Sequence, residues 1–347
     1  MHDAVQRESK AARNSAGIID ASTLGKIDIQ GTDASEFLNR VYTNAWSKLA
    51  IGKCRYGLML NEDGMVYDDG VTTRLDENHY IMTTTTGGAA NVLGKLEDYL
   101  QTEWPELDVY LSSVTDHYAT ASICGPNSKK ILNKLIPDLD LSDENFPHMS
   151  FKNAKIDNIK CRIMRISFTG EHSYEINIQA NYGEDLWKKS MEAGEEFNIT
   201  PYGTETMHLL RAEKGFIIVG QDTDGTMTPI DLQMDWIVSK KKYDFIGKRS
   251  LYRSDTMKED RKQLVGLITD NPTEVLEEGA QIIANTSLKP VEMLEVKQGP
   301  YIKIKDKIKF IIADYDKEID FLNHTGGESP VEQHQRNFLI KGIENAS

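Results

Sequence analysis

IIDASTLGKIDIQG, residues 18–31, alternates apolar and polar side chains on both sides of a short polar break, which predicts a strand, a turn and a second strand. Residues 32–40, TDASEFLNR, continue with helical periodicity, and Asp33 is the predicted N-cap. The same order recurs in residues 119–136, where an apolar strand is followed by Gly-Pro-Asn and the predicted helix SKKILNKLI. Two copies of this unit favour an internally duplicated α+β fold.

The sequence between and after these two units predicts further strands and helices. Residues 56–75, YGLMLNEDGMVYDDGVTTRL, are typical of a β-hairpin whose turn is 61–64. The other predictions are a polar turn at 83–88, a helix at 91–100, two strands within 153–180, and helices at 183–197 and 205–216.

Composition changes toward the C-terminus and suggests three regions. We expect residues 1–262 to form the duplicated α+β region and residues 263–323 to form a diverged C-terminal β subdomain. Residues 324–347 are mostly polar, which predicts a disordered tail.

Charge and hydropathy exclude several classes of protein. The 347 residues carry a net charge of −14, which argues against a nucleic-acid partner because such binding relies on clustered Lys and Arg. No apolar run is long enough to cross a bilayer, so no membrane role is expected. The N-terminal residues lack the apolar core of a secretory signal, and we expect a cytoplasmic protein. The three cysteines predict buried free thiols.

Common cofactor motifs are missing from the sequence. Neither the Gly-rich dinucleotide pattern nor the phosphate-binding P-loop pattern is present. Asp222-Thr223-Asp224-Gly225 resembles the start of a calcium loop, but Asp231 stands where the loop needs Glu, which favours a turn. The histidines are scattered, so no metal site is predicted.

Polar residues stand within or beside apolar strands at three places. They are Asp68-Asp69, the string FTGEHSYEI at 168–176, and Arg211 with Glu213 on a predicted helix. Alternation along a strand sends Asp68 and Asp69 to opposite faces of the sheet. Taken alone, each cluster favours structural salt bridges over a binding site.

A series of strings in the same order resembles one family. The strings are DASTLGKIDIQG, FLNRVYTNAW, CRYGLMLNEDGMVYDDG, TTTTGGAA, RISFTGEHSYEINI, PYGTETMHLLRAEKGFIIVGQDTDGTMTP, MDWIVSKK and DFIGKRSL. They resemble the C-terminal, folate-binding half of the α subunit of heterotetrameric sarcosine oxidase, over residues 1–280. That half belongs to the wider aminomethyltransferase group, which includes the T-protein of glycine cleavage.

The resemblance implies an α+β cloverleaf of three subdomains around a folate channel. After Met293 the strings of the family's closing barrel have no counterpart, so we expect an atypical or incomplete C-terminal barrel. The implied ligand is tetrahydrofolate, the implied flavin belongs only to a partner subunit, and the implied partners are the β, γ and δ subunits. Because Met1-His2-Asp3 resembles an internal stretch of that subunit, we expect a separate or fragmentary gene product.

The resemblance also assigns roles to the polar clusters. Asp69, with Asp68 beside it, falls at the family's acidic position near the reactive nitrogens of tetrahydrofolate, which implies a catalytic role. Glu175 falls at the carboxylate that binds the pterin, and Arg211 at an arginine lining the site. A carboxylate can accept both donors of the pterin edge, and a guanidinium fork suits an anionic folate group.

Apolar contacts to the pterin ring are assigned to Tyr56, Met59 and Leu24. Phe168 stands where many relatives have tyrosine in the string before the turn, so one hydroxyl contact to folate is expected to be absent.

The implied reaction is capture of the methylene of oxidised sarcosine as 5,10-methylenetetrahydrofolate. Two alternatives remain open: a stand-alone aminomethyltransferase of the glycine-cleavage type, and a non-catalytic folate-binding remnant. The T-protein string aspartate-valine-serine-histidine-methionine is replaced here by residues 20–24, DASTL, which favours the sarcosine oxidase branch.

Overall fold

Short strands and amphipathic helices follow one another along the chain as the hydrophobic periodicity predicts. The computed structural model describes residues 2–258, 261 and 263–264. The helices are α1 His2–Asn14, α2 Ala34–Val41, α3 Ala89–Thr102, α4 Ser128–Leu135, α5 Gly183–Gly194 and α6 Thr204–Glu213. The strands are β1 Gly17–Asp20, β2 Gly25–Gln30, β3 Cys54–Leu60, β4 Val66–Asp76, β5 His79–Thr84, β6 Tyr110–Ser113, β7 Tyr118–Cys124, β8 Ser150–Ile156, β9 Ile159–Arg165, β10 Ser173–Gln179 and β11 Thr200–Pro201.

The strands form two open sheets. The order in the six-stranded sheet is β11-β1-β7-β10-β9-β8, and in the five-stranded sheet it is β3-β4-β5-β2-β6. Strand β1 is parallel to β11 and antiparallel to β7. Buried side chains of the first sheet pack against α4 and α5, and those of the second pack against α2 and α3. Each sheet therefore has a helix-covered outer face, as expected for an α+β layer.

The inner faces of the two sheets share an apolar cluster. Cys54 of β3 and Ile81 of β5 belong to the five-stranded sheet, and Phe151 of β8 and Met164 of β9 belong to the six-stranded sheet. The backbone N–H of Cys54 also donates to the carbonyl of Met149, 2.8 Å away. Side chains that point to this space lie in the interior of the molecule.

The β3–β4 hairpin has the turn that its sequence predicts. The side-chain Oδ1 of Asn61 accepts hydrogen bonds from the backbone N–H groups of Asp63, at 3.0 Å, and Met65, at 2.9 Å. Gly64 has φ +82°, a conformation that favours glycine. One face of the hairpin packs against the chain that follows α6, with Leu58 and Leu60 among its buried residues.

Most of the predicted elements are confirmed, and the structure differs from the predictions in a few places. Residues 153–180 contain three strands rather than two, because β8 and β9 form a tight hairpin whose turn residues, Asp157 and Asn158, have positive φ. Helix α1 and strands β5, β6 and β11 were not predicted. Asp33 lies at the N-cap of α2, but its side chain accepts from the N–H of Asp108 instead of capping the helix.

Parts of the sequence predictions lie outside the described residues. These are the C-terminal β subdomain, apart from residues 263–264, and the tail 324–347. In the described part of the chain, no helix has the length and apolar composition needed to span a bilayer.

Candidate functional site

Asp69 and Tyr56 form a hydrogen-bonded pair on one face of the hairpin. Asp69 pairs with Leu58 in the ladder, and Tyr56 lies two residues before Leu58 on the same face. The Tyr56 hydroxyl donates to Asp69 Oδ2 at 2.6 Å. Burial raises the pKa of the Asp69 carboxyl to about 7, although the Tyr56 hydrogen bond opposes the rise. Asp69 can therefore both hold and release a proton near neutral pH, as a general acid or base must.

Asp68 lies on the opposite face, as the strand alternation predicts. Its Oδ1 accepts from the Thr85 hydroxyl at 2.6 Å, and its Oδ2 accepts from the Thr85 N–H at 3.2 Å. Burial raises the pKa of Asp68 to about 6, and the bonds from Thr85 oppose the rise. The carboxylate thus shapes the turn before α3 and is separated by the sheet from the Tyr56–Asp69 pair. Its catalytic assignment stays a prediction.

Glu175 points from β10 into the space between the two sheets. Its neighbours Tyr174 and Ile176 pack in the core beneath α4 and α5, so the carboxylate occupies the inner face. Among the described residues, no group donates a hydrogen bond to this carboxylate. Burial raises its pKa to about 7. Glu175 is therefore a half-buried acceptor that receives no hydrogen bond from the described part of the chain.

Asn177 lies two residues further along β10 on the same face as Glu175. Its Oδ1 accepts from the Thr120 hydroxyl at 2.8 Å. Its Nδ2 is buried, and within the described residues it has no hydrogen-bond partner. An acceptor and a donor with unused capacity therefore stand side by side on the inner face of the six-stranded sheet.

The sequence analysis missed a buried lysine on the inner face of the five-stranded sheet. Lys26 of β2 is 2% exposed, and its Nζ donates to the carbonyls of Ser22, at 3.1 Å, and Leu24, at 2.9 Å. Burial lowers the pKa of Lys26, whereas the charge of Glu175 raises it. The sequence feature that could have identified it is a lysine within the apolar alternation of β2. Its side chain points to the face of the strand opposite that of the buried Ile27.

Arg211 is buried at the end of α6 and is held by its own chain. Its Nη1 donates to the carbonyl of Phe216, at 2.9 Å, and to the carboxylate of Asp222. Its Nε is buried without a partner among the described residues. The guanidinium therefore shapes the loop after α6 and retains one N–H for another acceptor. Its predicted contact with folate stays a prediction.

Phe168 stacks against Phe216, a contact that the sequence analysis did not predict. The ring centroids are 6.0 Å apart and the ring planes differ by 22°. Phe168 belongs to the loop before β10, and Phe216 follows α6. The two half-buried rings join these loops and provide an aromatic surface.

The two remaining assigned residues lie in different surroundings. Leu24 is half-buried in the β1–β2 loop, where its carbonyl accepts from Lys26. Met59 is 1% exposed and packs in the core beneath α2 and α3. Because Met59 and Tyr56 point to opposite faces of β3, the structure does not bring Met59 to the Tyr56–Asp69 pair.

Arg13 connects α1 with the loop before β10 and with the end of α6. Its guanidinium donates to the carbonyl of Thr169 at 2.6 Å, to Glu171 at 2.7 Å, to the carbonyl of Leu210 at 3.0 Å and to Glu213 at 2.6 Å. The partners lie 156 to 200 residues away in the sequence, so no local signal identified this network.

Metal binding has no structural support within the described part of the chain. Residues 2–258, 261 and 263–264 contain no group of three or more His, Cys, Asp or Glu side chains placed to hold a metal ion. The three cysteines are buried and free. The chemistry available in the interior is therefore that of carboxylates, a lysine, amides and aromatic rings.

Comparison with known proteins defines the family. The family model described as the GCVT N-terminal domain matches residues 1–242, and the chain belongs to this family. Among solved structures, the glycine cleavage aminomethyltransferase T from Bartonella henselae is similar, with a TM-score of 0.63 and 26% identity over 71% of this chain and 64% of that one. The α+β prediction is confirmed; the three-subdomain cloverleaf stays a prediction.

Curated relatives fall into two groups. The chain is 57% identical to the sarcosine oxidase subunit alpha of Corynebacterium sp. (strain U-96), over 82% of this chain and 29% of that protein. It is 45% identical to the same subunit of Rhizobium meliloti (strain 1021), over 84% of this chain and 29% of that protein. It is 31% identical to an aminomethyltransferase of Chloroherpeton thalassium, over 72% of this chain and 67% of that protein. The chain spans less than a third of the length of the sarcosine oxidase subunits it matches.

Proposed function

We propose that this chain binds tetrahydrofolate between its two sheets and captures on it the methylene of oxidised sarcosine. The observation that carries the proposal is the inward-facing Glu175 carboxylate, which receives no hydrogen bond within the described chain. This half-buried carboxylate can accept two hydrogen bonds, and a ligand with two adjacent N–H donors, such as the edge of a reduced pterin, fits it. Asn177 beside it offers a donor to an adjacent acceptor on the same ligand.

The aromatic and cationic residues fit the other parts of a folate. The Phe168–Phe216 pair offers an apolar surface to a flat ring system. Arg211 retains a buried N–H that suits an acceptor. Since the chain carries a net charge of −14, an anionic ligand needs such a local positive group.

Asp69 is proposed to move the protons of the transfer. In the balanced reaction, the methylene carbon forms bonds to N5 and N10 of the folate, the bond to the glycine nitrogen breaks, and the two folate N–H protons pass to that nitrogen. A carboxyl with a pKa of about 7 can accept one of these protons and return it, and the Tyr56 hydroxyl holds its orientation. Tetrahydrofolate supplies the nucleophilic nitrogens, and Asp69 supplies the proton route.

The amine-oxidising flavin is proposed to belong to a partner subunit, with further β, γ and δ subunits completing the enzyme in the cytoplasm. The identity of 57% to a sarcosine oxidase alpha subunit supports this choice over a stand-alone aminomethyltransferase, since the identity to the aminomethyltransferase of Chloroherpeton thalassium is 31%. A glycine-cleavage donor remains the second candidate, because the fold is shared with the T-protein. The two are distinguished by the donor that gives methylenetetrahydrofolate: sarcosine with the flavin partner, or an aminomethylated lipoyl carrier.

Folate binding is tested by calorimetric titration with tetrahydrofolate at pH 8. We expect the wild-type chain to bind and Glu175→Gln to bind more weakly by about 10- to 150-fold, because the amide replaces a charged acceptor with a donor. Glu192→Gln, on the exposed face of α5, is the matched control and should bind like wild type. Equal affinities for wild type and Glu175→Gln, or no binding by the wild-type chain, would contradict the proposal.

A further inference from the structure

Arg162 of β9 lies on the inner face of the six-stranded sheet and has no ion-pair partner in the described part of the chain. Its neighbours Cys161 and Ile163 pack on the outer face, beneath α4 and α5, so the alternation directs Arg162 inward. Its Nε is buried, and no described residue accepts a hydrogen bond from it. Because the chain has 54 acidic and 40 basic side chains, a carboxylate partner is readily available to an arginine. An inward-facing arginine without one is therefore a candidate to bind a ligand.

Two aromatic rings lie beside the Arg162 guanidinium. Its central carbon is 5.9 Å from the ring centroid of Tyr118 and 5.8 Å from that of Phe151. Phe151 belongs to the apolar cluster that joins the two sheets, so the guanidinium borders the interior space between them. Contacts of this kind stabilise the cation without using its N–H groups.

Asn177 of β10 places a second buried donor beside Arg162. The two residues stand directly opposite each other in the ladder, where Cβ atoms are about 4.5–5.5 Å apart. On the other side of β10, the Thr120 hydroxyl donates to Asn177 Oδ1, which turns Nδ2 toward the side of β9. This Nδ2 is buried and has no partner among the described residues. One oxygen acceptor between Nδ2 and the Arg162 Nε would satisfy two donors that are costly to leave unpaired.

Glu175 provides acceptors next to these two donors. It precedes Asn177 by two residues on the same face of β10, about 6–7 Å away along the strand. It is a diagonal neighbour of Arg162 in the ladder, yet no ion pair joins the two side chains. A ligand that lies across this surface must therefore present N–H donors to Glu175 and an oxygen acceptor to Arg162 and Asn177.

We propose that Arg162 and Asn177 bind the 4-oxo oxygen of the pterin ring and make the chain selective for the lactam edge of folate. This inference rests on the proposed function. The 2-amino group, N3–H and the 4-oxo oxygen form a row along one edge of the ring, and Glu175 accepts from the two donors of that row. The carboxylates of folate lie at the other end of the molecule, beyond the benzoyl group, so they do not reach Arg162 while Glu175 holds this edge.

Three substitutions separate this role from one in the packing of the sheet. Arg162→Met removes the cation and its donors. Arg162→Lys keeps the positive charge but lacks the planar fork that carries Nε. Asn177→Asp keeps an acceptor for the Thr120 hydroxyl, removes the Nδ2 donor and offers Arg162 an acceptor within the chain.

The first measurement is calorimetric titration at pH 8 with tetrahydrofolate and with 6-methyltetrahydropterin, a bare ring that lacks the benzoylglutamate tail. We expect both ligands to bind more weakly by about 10-fold or more in Arg162→Met and Asn177→Asp, and by less in Arg162→Lys. Lys160→Met removes an equal charge from an exposed position on the same strand and is the matched control. It should bind both ligands like wild type.

The second measurement reports on the oxygen itself. A hydrogen bond to a carbonyl oxygen lowers the stretching frequency of the carbonyl, and a carbon-13 label at C4 of 6-methyltetrahydropterin identifies this band in infrared difference spectra. With the ligand bound, we expect the band to lie at higher frequency in Arg162→Met, Arg162→Lys and Asn177→Asp than in wild type. It should be unmoved in Lys160→Met. A packing role would lower affinity without moving the band.

Wild-type affinity for the bare ring in Arg162→Met and Asn177→Asp would overturn the inference, as would an unmoved C4 band in the variants. A loss confined to tetrahydrofolate would assign Arg162 to the tail and would overturn it too. In each of these cases the wild-type chain still binds folate, so the proposed function survives. If the wild-type chain binds neither ligand, the proposed function fails and this inference fails with it.

Discussion

Removing the charge of Glu175 is expected to change how the stability of the ligand-free chain depends on pH. The folded carboxyl has a pKa of about 7, against 4.5 for an unperturbed glutamate, because burial disfavours its ionised form. The folded state therefore binds this proton more tightly than the unfolded state does. The free energy of unfolding falls as the pH rises from about 4.5 to about 7. Above about pH 7, the full destabilisation caused by the ionised carboxylate is present.

The size of the effect follows from the same pKa difference. It corresponds to at most about 3 kcal/mol, and partial contact of the carboxylate with solvent reduces this to about 1–2 kcal/mol. Glu175→Gln has no proton to lose, so it should be more stable than wild type by about that amount at pH 8. At pH 5, where Glu175 is protonated in the folded state, the two proteins should differ little.

Urea unfolding followed by circular dichroism at pH 5, 6, 7 and 8 measures this difference. Comparing wild type with Glu175→Gln isolates Glu175, since the contribution of Asp69 is common to both proteins. The exposed substitution Glu192→Gln should follow the wild-type pH dependence. Parallel stability curves for wild type and Glu175→Gln would refute the assignment of a buried, proton-retaining carboxyl.

Three further substitutions test other parts of the structure. Asp69→Asn should bind folate but slow methylene capture by about 100-fold. With the flavin partner present, this loss is measured as formaldehyde released in place of methylenetetrahydrofolate. A wild-type ratio of the two products would remove Asp69 from the reaction. Arg13→Met should lower the free energy of unfolding in urea by about 3 kcal/mol, whereas the exposed Arg7→Met should change it little. Equal changes in the two variants would show that the Arg13 network contributes little to stability. Gly70→Ala should destabilise the fold by about 3 kcal/mol or more, because its Cβ would lie 1.9 Å from a carbonyl oxygen of β5. Gly87→Ala is the control, since its Cβ would meet nothing within 4 Å. A stable Gly70→Ala variant would contradict this packing.

Local patterns predicted most of the strands, the hairpin and most helices, since each depends on neighbours within a few residues. The Asn61 turn and the opposite directions of Asp68 and Asp69 followed from alternation and turn chemistry alone. The assignments of Asp69 and Glu175 came instead from the family resemblance, because burial of a carboxylate depends on how two sheets meet.

The missed features depend on contacts between distant parts of the chain. Helix α1 has no strong apolar stripe of its own and is held by packing on α6 and by Arg13, whose partners come 156 to 200 residues later. In the sequence, Lys26 has the pattern of a solvent-exposed strand residue. Its burial arises only in the folded chain, where the second sheet covers it. Such burial is a property of the tertiary arrangement, which propensity and periodicity do not contain.

The order of strands in the two sheets has a consequence for synthesis on the ribosome. The five-stranded sheet uses strands between Gly25 and Ser113, whereas the six-stranded sheet joins β1 to β11, at Thr200–Pro201. At a synthesis rate of about 5–20 residues per second, the first sheet is complete roughly 4–18 s before the strand that closes the second has been made. During this interval the apolar inner face at Ile81 has no covering sheet, so the nascent chain should recruit chaperones. Protease digestion of chains stalled at residue 150 and at residue 230 would measure this, with protection of the first sheet expected in both and protection of β1 only in the longer.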